Sequence, residues 1–169
     1  MKKLFLISFS LFVTLTFLFG CSLSNTPTSK VEDLFSKYQR LDNDIDNEID
    51  IILNSETLTD EQNNKYRKII ENQYKNLVYE IKDETIDGDS AVVVAQIEVL
   101  DYKKVINELG SEKNKYDIME YNNLKIEKLE KAKEKVAYTL NINLIKEDDG
   151  NWKIKYLSDD DIKKMQGMY

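Results

Sequence analysis

One stretch of alternating apolar and polar residues constrains the fold of this chain more than any other feature. In residues 136–144 every second residue is apolar, and the alternation resumes in residues 152–156 after the pair Asp149-Gly150. A period of two that is interrupted by Asp-Gly predicts a β-hairpin. Trp152 opens a strand whose alternate residues are lysines, so we expect its ring to be buried between this hairpin and a helical layer.

A second alternating stretch predicts another hairpin earlier in the chain. Residues 77–82 and 91–100 both alternate, and the turn pair Asp87-Gly88 separates them. Residues 92–95 are apolar on both faces, which is typical of a strand that is covered on both sides. We therefore predict that this strand is central in the sheet.

Helical periodicity precedes the first hairpin. Thr26-Pro27 has the form of an N-cap followed by proline at the first helical position, and apolar residues then recur at three- and four-residue spacing as far as residue 53. The acid-rich residues 42–50 are predicted either to continue this helix or to break it at a turn. Thr59 and Gln62 have the spacing of a capping box at the start of a second helix.

The remaining segments predict a helical insertion and a short last helix. Residues 102–135 return to a helical pattern with a break at Gly110, and Ser158 and Gly167 are placed to begin and end a C-terminal helix. The predicted fold is α+β. An N-terminal helical pair packs on a curved antiparallel sheet of about four strands in two hairpins, with a helical insertion between the hairpins.

The first 21 residues have the three parts of an export signal. Two lysines are followed by an apolar run over residues 4–19, and the segment ends in Leu18-Phe19-Gly20-Cys21. This ending resembles the lipobox of bacterial lipoproteins, in which the cysteine becomes the acylated first residue of the mature chain. Phe19 departs from that pattern, which prefers a smaller residue there.

Cys21 is the only cysteine of the chain, and the lipobox interpretation accounts for both its position and its isolation. We predict a signal peptide over residues 1–20, a lipidated Cys21 with a short tether to residue 28, and one domain over residues 29–169. The apolar run is shorter than the roughly 20 residues that cross a bilayer as a helix. An uncleaved anchor and a buried apolar helix are the alternatives.

Charge and composition exclude several classes of function. The chain carries a net charge of −7, and loss of residues 1–20 removes two lysines and no acids, which leaves −9. Nucleic-acid binding is not expected, because phosphate neutralisation by basic residues supplies most of that affinity. The chain has no histidine, the commonest general base at neutral pH. We expect no cofactor.

The order of elements, with Thr26-Pro27 leading and Gly150-Asn151-Trp152-Lys153-Ile154 near the end, resembles small Gram-positive lipoproteins. Those proteins carry a domain similar to the nuclear-transport-factor-2-like, cystatin-like fold. The resemblance covers residues 26–157 and implies a sheet wrapped around the first helix as a cone whose mouth binds a ligand or partner. Enzymes of that family place Asp, His or Tyr groups inside the cone, but no catalytic position can be matched here.

Clusters of acidic residues can bind metal ions or take part in acid–base catalysis, and this chain has several such clusters. An EF-hand loop that started at Asp42 would need Gly at position 47 and Glu at position 53, where this chain has Asn47 and Leu53. A solvated acidic helix face or turn is therefore favoured over a calcium site, and no metal site is predicted. The carboxylates beside the two Asp-Gly turns are interpreted as ordinary turn residues.

The ten tyrosines are numerous for this length, and five of them fall on inferred inward faces. They either pack in the core or line a pocket between sheet and helices. These candidate pocket residues are Tyr66, Tyr74, Tyr79, Tyr138 and Tyr156.

The combined prediction is a lipoprotein at the outer face of the cytoplasmic membrane. It would be anchored through Cys21 and would act as a non-enzymatic binding module for an envelope protein or a small molecule. The alternatives are an enzyme that uses tyrosine and carboxylate groups in a cone pocket, and a purely structural envelope component.

Overall fold

The structure, a computed structural model, describes residues 25–169 and contains six α-helices and one four-stranded antiparallel sheet within that range. The predicted signal peptide and Cys21 lie outside the described residues. The elements are α1 (Pro27–Arg40), α2 (Asn43–Asn54), α3 (Asp60–Lys75), β1 (Val78–Asp87), β2 (Ser90–Leu100), α4 (Tyr102–Leu109), a 3-10 turn (Lys113–Lys115), α5 (Ile118–Glu130), β3 (Lys135–Lys146), β4 (Trp152–Ile154) and α6 (Asp159–Met165).

The sheet confirms the predicted fold class. Its strand order is β1-β2-β3-β4, so two hairpins lie side by side and β2 and β3 occupy the centre. Helices α4 and α5 form the insertion between the hairpins, and α6 follows the last strand. Trp152 is only 8% exposed and belongs to the core, as predicted.

Three helices precede the sheet, because the first predicted helix breaks in two, which is one of the two outcomes that the sequence left open. The chain leaves α1 at Leu41, whose φ of +56° is left-handed, and re-enters a helix at Asn43. The acid-rich stretch is therefore helical from Asn43 onward. Asp46 and Asp50 of α2 form ion pairs with Arg67 of α3, so these acids also connect two helices.

The inner face of the sheet carries the core, and the outer face remains partly open. Val93 and Ile97 of β2 are fully buried, and so is Leu140 of β3. On the opposite face Val92 and Val94 are only half-buried. The prediction that the central strand is covered on both sides was wrong. The helices pack on the inner face, and Val92 and Val94 on the outer face remain partly exposed to solvent.

The helices begin where the sequence places capping residues. Thr59 Oγ1 accepts a hydrogen bond from the backbone N–H of Gln62 at 3.3 Å, and the Gln62 side chain accepts one from the backbone N–H of Thr59 at 3.1 Å. Ser158 and Asp161 repeat this arrangement at the start of α6. The predicted starts of α3 and α6 are confirmed.

Candidate functional site

Two of the five candidate tyrosines lie inside the helical layer. Tyr66 is 4% exposed and Tyr74 is fully buried. Burial raises the pKa of both phenols above the ordinary value, and the neighbouring carboxylates Glu56 and Glu48, respectively, raise it further. Both side chains are therefore neutral hydrogen-bonding groups at physiological pH.

Glu48 of α2 joins two tyrosines in a polar network that sequence reasoning missed. Its carboxylate accepts a hydrogen bond from the hydroxyl of Tyr38 at 2.9 Å and another from the hydroxyl of Tyr74 at 3.0 Å. The amide of Gln166 donates to the Tyr74 hydroxyl at 3.3 Å. The network ties α1, α2 and α3 to the residue that follows α6. The helical spacing of Ile45, Ile49 and Leu53 could have placed Glu48 beside the buried face of α2.

The interior beside this network is almost filled. An internal cavity of about 10 Å³ lies between α2, α3 and the start of α4, and that volume holds about one water molecule. It is far below the 300–1,000 Å³ that is typical of a ligand pocket. Its lining is Ile52, Tyr66, Ile69, Ile70, Gln73, Tyr102, Gln166 and Met168.

The other three candidate tyrosines occupy separate places. Tyr79 packs on Phe35 with the ring centroids 4.6 Å apart. Tyr156 is 75% exposed, because β4 ends at Ile154 and the alternation does not continue as a strand. Its predicted inward position was wrong. The five tyrosines thus do not line a common pocket. Tyr138 borders an open space of about 530 Å³, and Tyr156 borders a separate one of about 430 Å³.

Tyr138 forms one wall of a groove at the end of the sheet where β2 finishes. Its ring meets that of Tyr169 edge to face at 5.8 Å, and its hydroxyl donates a hydrogen bond to the backbone oxygen of Tyr169 at 3.2 Å. The ammonium of Lys164 lies 5.1 Å from the centre of the Tyr169 ring. Tyr169 is 50% exposed, so its ring remains available to a ligand.

The first two turns of α4 form the other wall. The space between the walls is open to solvent and measures about 530 Å³, within the range of small-molecule sites. We call it the tyrosine groove. It is lined by Asp101, Lys103, Lys104, Asn107, Glu108, Tyr138 and Tyr169.

Some polar side chains of the tyrosine groove already form hydrogen bonds or ion pairs within the protein, and others do not. The Asp101 carboxylate caps α4 by accepting from the backbone N–H of Lys104 at 2.8 Å, and the Lys104 ammonium pairs with Glu134 at 2.6 Å. Within residues 25–169, the side chains of Lys103, Asn107 and Glu108 make no hydrogen bond or ion pair. The groove therefore offers an ammonium, an amide and a carboxylate beside two aromatic rings.

Gly167 positions the Tyr169 wall. The N–H of Gly167 donates to the backbone oxygen of Lys164, and the N–H of Met168 donates to the backbone oxygen of Lys163. These two hydrogen bonds define a Schellman motif. The Gly167 oxygen in turn accepts from the N–H of Lys103 at 2.7 Å. The predicted end of α6 at Gly167 is confirmed, and this end fixes the last residues against α4.

The first described residue is bound to the opposite end of the sheet. The side chain of Asn25 donates to the backbone oxygen of Gly150 at 2.8 Å and accepts from the N–H of Trp152 at 3.0 Å. These contacts place the start of the described chain at the β3–β4 turn. Leu100 and the tyrosine groove lie at the other end of β2, a strand length of roughly 30–35 Å away.

The described residues offer neither a metal-binding cluster nor a membrane-spanning helix. Residues 25–169 contain no cluster of three or more His, Cys, Asp or Glu side chains suited to holding a metal ion. None of the helices in that range combines the length and apolarity that a bilayer crossing needs.

Comparisons with known proteins give little. No protein-family model matches this sequence, and no curated protein matches it. Among solved structures it is similar to the crystal structure of a candidate lipoprotein, ycdA, of Bacillus subtilis, with a TM-score of 0.42 and 17% identity. The match covers 77% of this chain and 46% of that one, so this chain spans less than half of its neighbour. A TM-score below 0.5 does not establish a common fold.

Proposed function

We propose that this chain is a lipid-anchored protein of the outer face of the cytoplasmic membrane, and that its domain binds a ligand or partner in the tyrosine groove without catalysing a reaction. Support for the anchor comes from the sequence, with its basic start, its apolar run and the ending Leu18-Phe19-Gly20-Cys21. Acyl chains on Cys21 would then supply the membrane affinity.

The observation that carries the binding proposal is the tyrosine groove itself. Its volume of about 530 Å³ suits a small molecule or a loop of another protein, whereas the interior cavity of about 10 Å³ admits neither. Tyr138 and Tyr169 offer their ring faces to a ligand. Tyrosine is enriched at binding interfaces because its side chain buries a large area at low entropic cost. Lys103, Asn107 and Glu108 surround the rings with groups that have no partner in the described part of the chain.

The ligand class follows from these groups. A ring or other apolar face would pack on the tyrosines, while an anionic group would meet Lys103 and a donor group would meet Glu108. Amino acids and short peptides combine these features. The groove therefore favours a ligand of mixed charge over nucleic acid, whose phosphates would meet an acidic protein of net charge −9.

The proposed anchor would attach near the end of the sheet that lies opposite the groove. Asn25 is four residues beyond Cys21, so the acyl chains would attach within about 15 Å of the β3–β4 turn. The tyrosine groove lies past Leu100 at the far end of β2. The domain would hold its turns toward the membrane and present the groove to the surrounding envelope.

A second candidate function, an enzyme that uses tyrosine and carboxylate groups, has one observation in its favour. The Glu48 carboxylate accepts hydrogen bonds from the hydroxyls of both Tyr38 and Tyr74. Neither tyrosine lines the internal cavity, and the pKa of each phenol is raised by burial, so proton release at neutral pH is disfavoured. Binding is favoured for this reason.

Mass spectrometry of the protein extracted from membranes tests the anchor. We expect residues 1–20 to be missing and a diacylglyceryl group to be attached at Cys21. A Cys21→Ser variant serves as the control and should keep an unmodified residue 21. An intact N-terminus on the wild-type protein would overturn the proposal.

Fluorescence quenching tests the orientation. Because acylation blocks Cys21, a single introduced cysteine can carry a fluorophore on the lipidated protein in vesicles that contain spin-labelled lipid. We expect a label at Asp149→Cys, beside the β3–β4 turn, to be quenched more strongly than one at Lys103→Cys in the groove. Equal quenching, or the reverse order, would contradict this orientation.

NMR titration tests the groove. The 15N-labelled domain is titrated with free amino acids and dipeptides, which carry both an ammonium and a carboxylate group. The expected result is that at least one probe shifts the amides of Lys103, Asn107 and Tyr169 and that Tyr169→Ala abolishes the shift. Tyr156→Ala, which removes an exposed tyrosine outside the groove, is the matched control. Shifts that map elsewhere would refute the site.

A further inference from the structure

Helix α4 has a second groove on its other side, between α4, the 3-10 turn and α5. This space measures about 370 Å³ and is open to solvent. We call it the helical groove. It is lined by Val105, Glu108, Leu109, Glu112, Tyr116, Leu124 and Lys128.

Large apolar side chains lie exposed at the start of α5 beside this groove. Tyr116 is 44% exposed, Ile118 is 55% exposed and Met119 is 54% exposed. The three fall within four consecutive residues, and Tyr116 among them also lines the groove. Clustered exposed apolar residues on a charged protein mark an interaction surface more often than isolated ones do.

The charges that border the helical groove have opposite signs on its two walls. Glu108 lies on α4 and Glu112 lies just before the 3-10 turn, whereas Lys128 lies on α5. Glu112 is paired with Lys115 at 2.9 Å. In the described part of the chain, Glu108 and Lys128 form no ion pair, so both can meet charges on a partner.

We propose that the helical groove binds the helical groove of a second copy of this chain. When two copies are related by a two-fold axis, the same patch meets itself, and a residue on one wall faces the opposite wall of the partner. Glu108 of each copy then faces Lys128 of the other, and Tyr116 and Leu124 of the two copies meet at the centre. One groove thus supplies both halves of the contact.

The distribution of net charge favours this surface over the others. Residues 102–135 hold nine lysines and seven acids, a net charge of +2, whereas the remainder of residues 21–169 has a net charge of −11. Two copies that approach through the rest of the domain bring regions of negative net charge together, and this repulsion acts within roughly a Debye length, about 8–10 Å at physiological salt. The insertion is the region where that repulsion is smallest.

The proposed contact shares one residue, Glu108, with the tyrosine groove, and it does not involve the lipid anchor. Lys103 and Asn107 border only the tyrosine groove, and α4 separates the two grooves. A second copy in the helical groove therefore leaves the ring faces of Tyr138 and Tyr169 open.

Sedimentation velocity on the domain that starts at Ser22 tests the proposal by charge exchange. The wild-type domain is expected to form a dimer whose fraction rises with concentration. Glu108→Lys and Lys128→Glu, each alone, place like charges across the axis twice, and each is expected to weaken the dimer about tenfold or more. An equimolar mixture of the two variants restores complementary pairs, so we expect it to form a heterodimer.

Three further measurements keep the test decisive. The variant that carries both exchanges should dimerise about as well as wild type. Lys131→Glu, the same charge change at the residue that follows α5 and outside the groove, should have little effect, and circular dichroism should show that every variant is folded. A wild-type domain that stays monomeric up to millimolar concentration, or single exchanges that dimerise as wild type does, would overturn the proposal.

Discussion

Replacement of Gly167 by alanine is the sharpest test of how the C-terminal residues are seated. Gly167 has a φ of +68°, and a Cβ atom placed on it would lie 2.0 Å from the backbone oxygen of Leu100 and 2.6 Å from Nε2 of Gln73. Both neighbours are held in place, since the Gln73 side chain makes two hydrogen bonds with the Leu100 backbone. The added methyl group therefore has no free space.

Gly88 provides a matched control with a similar backbone and no crowding. It has a φ of +58°, and a Cβ atom there would have no neighbour within 4 Å. Alanine at either position takes on the left-handed strain of about 1–2 kcal/mol. Only Gly167→Ala adds overpacking, which costs about 1–3 kcal/mol. The free energy of unfolding should therefore fall by about 1–3 kcal/mol more for Gly167→Ala than for Gly88→Ala.

Urea unfolding of both variants of the domain measures this difference directly. A second readout follows from the fold, because displacement of Gly167 also moves the Tyr169 wall of the tyrosine groove. The amide signals of Lys103 and Tyr138 should therefore shift in Gly167→Ala and stay in place in Gly88→Ala. If the two variants lost equal stability, the close approach of Gly167 to Leu100 would be wrong.

Three further predictions concern the core, alkaline pH and the membrane. Trp152→Ala should lower the free energy of unfolding in urea by about 3–5 kcal/mol, because the ring is 8% exposed; a change below 1 kcal/mol would place it at the surface. Burial raises the pKa of Tyr102 to about 12, so the contribution of its neutral phenol to stability is complete below pH 10 and is lost as the pH rises from about 10 to about 12. The free energy of unfolding of Tyr102→Phe should therefore decline less than that of wild type in this window, and an identical decline would refute this. The domain from Ser22 onward, without Cys21, should not sediment with anionic vesicles at physiological salt, because it is acidic; salt-sensitive pelleting would contradict this.

The sequence predicted the sheet well because its signals are local. The alternation in β3 and the Asp-Gly turns depend on residues within a few positions of one another. The break at Leu41 was harder to locate. An apolar spacing of three and four continues across it, and nothing about a leucine indicates that its φ will be positive. There the packing of α2 on α3 overrides the local preference.

The sites were less predictable because they join residues that are distant in the chain. Tyr138 could be placed on an inward face, but its partner Tyr169 and the α4 wall follow from the seating of Gly167 beside Leu100. Glu48 could be read as one more acid on a charged helix. Its contact with Tyr74 depends on how α2 and α3 pack, which sequence periodicity does not specify.

The hydrogen bonds of Asn25 to the β3–β4 turn determine how the domain would respond to tension applied at its N-terminal side. Tension that enters from the N-terminal side reaches the domain at Asn25 and is shared between two hydrogen bonds, one to Gly150 and one to the N–H of Trp152. These two bonds are loaded before α1 is, and the Trp152 side chain stays locked in the core behind them. Such a load would break these two hydrogen bonds before it reached the core residues that hold the sheet.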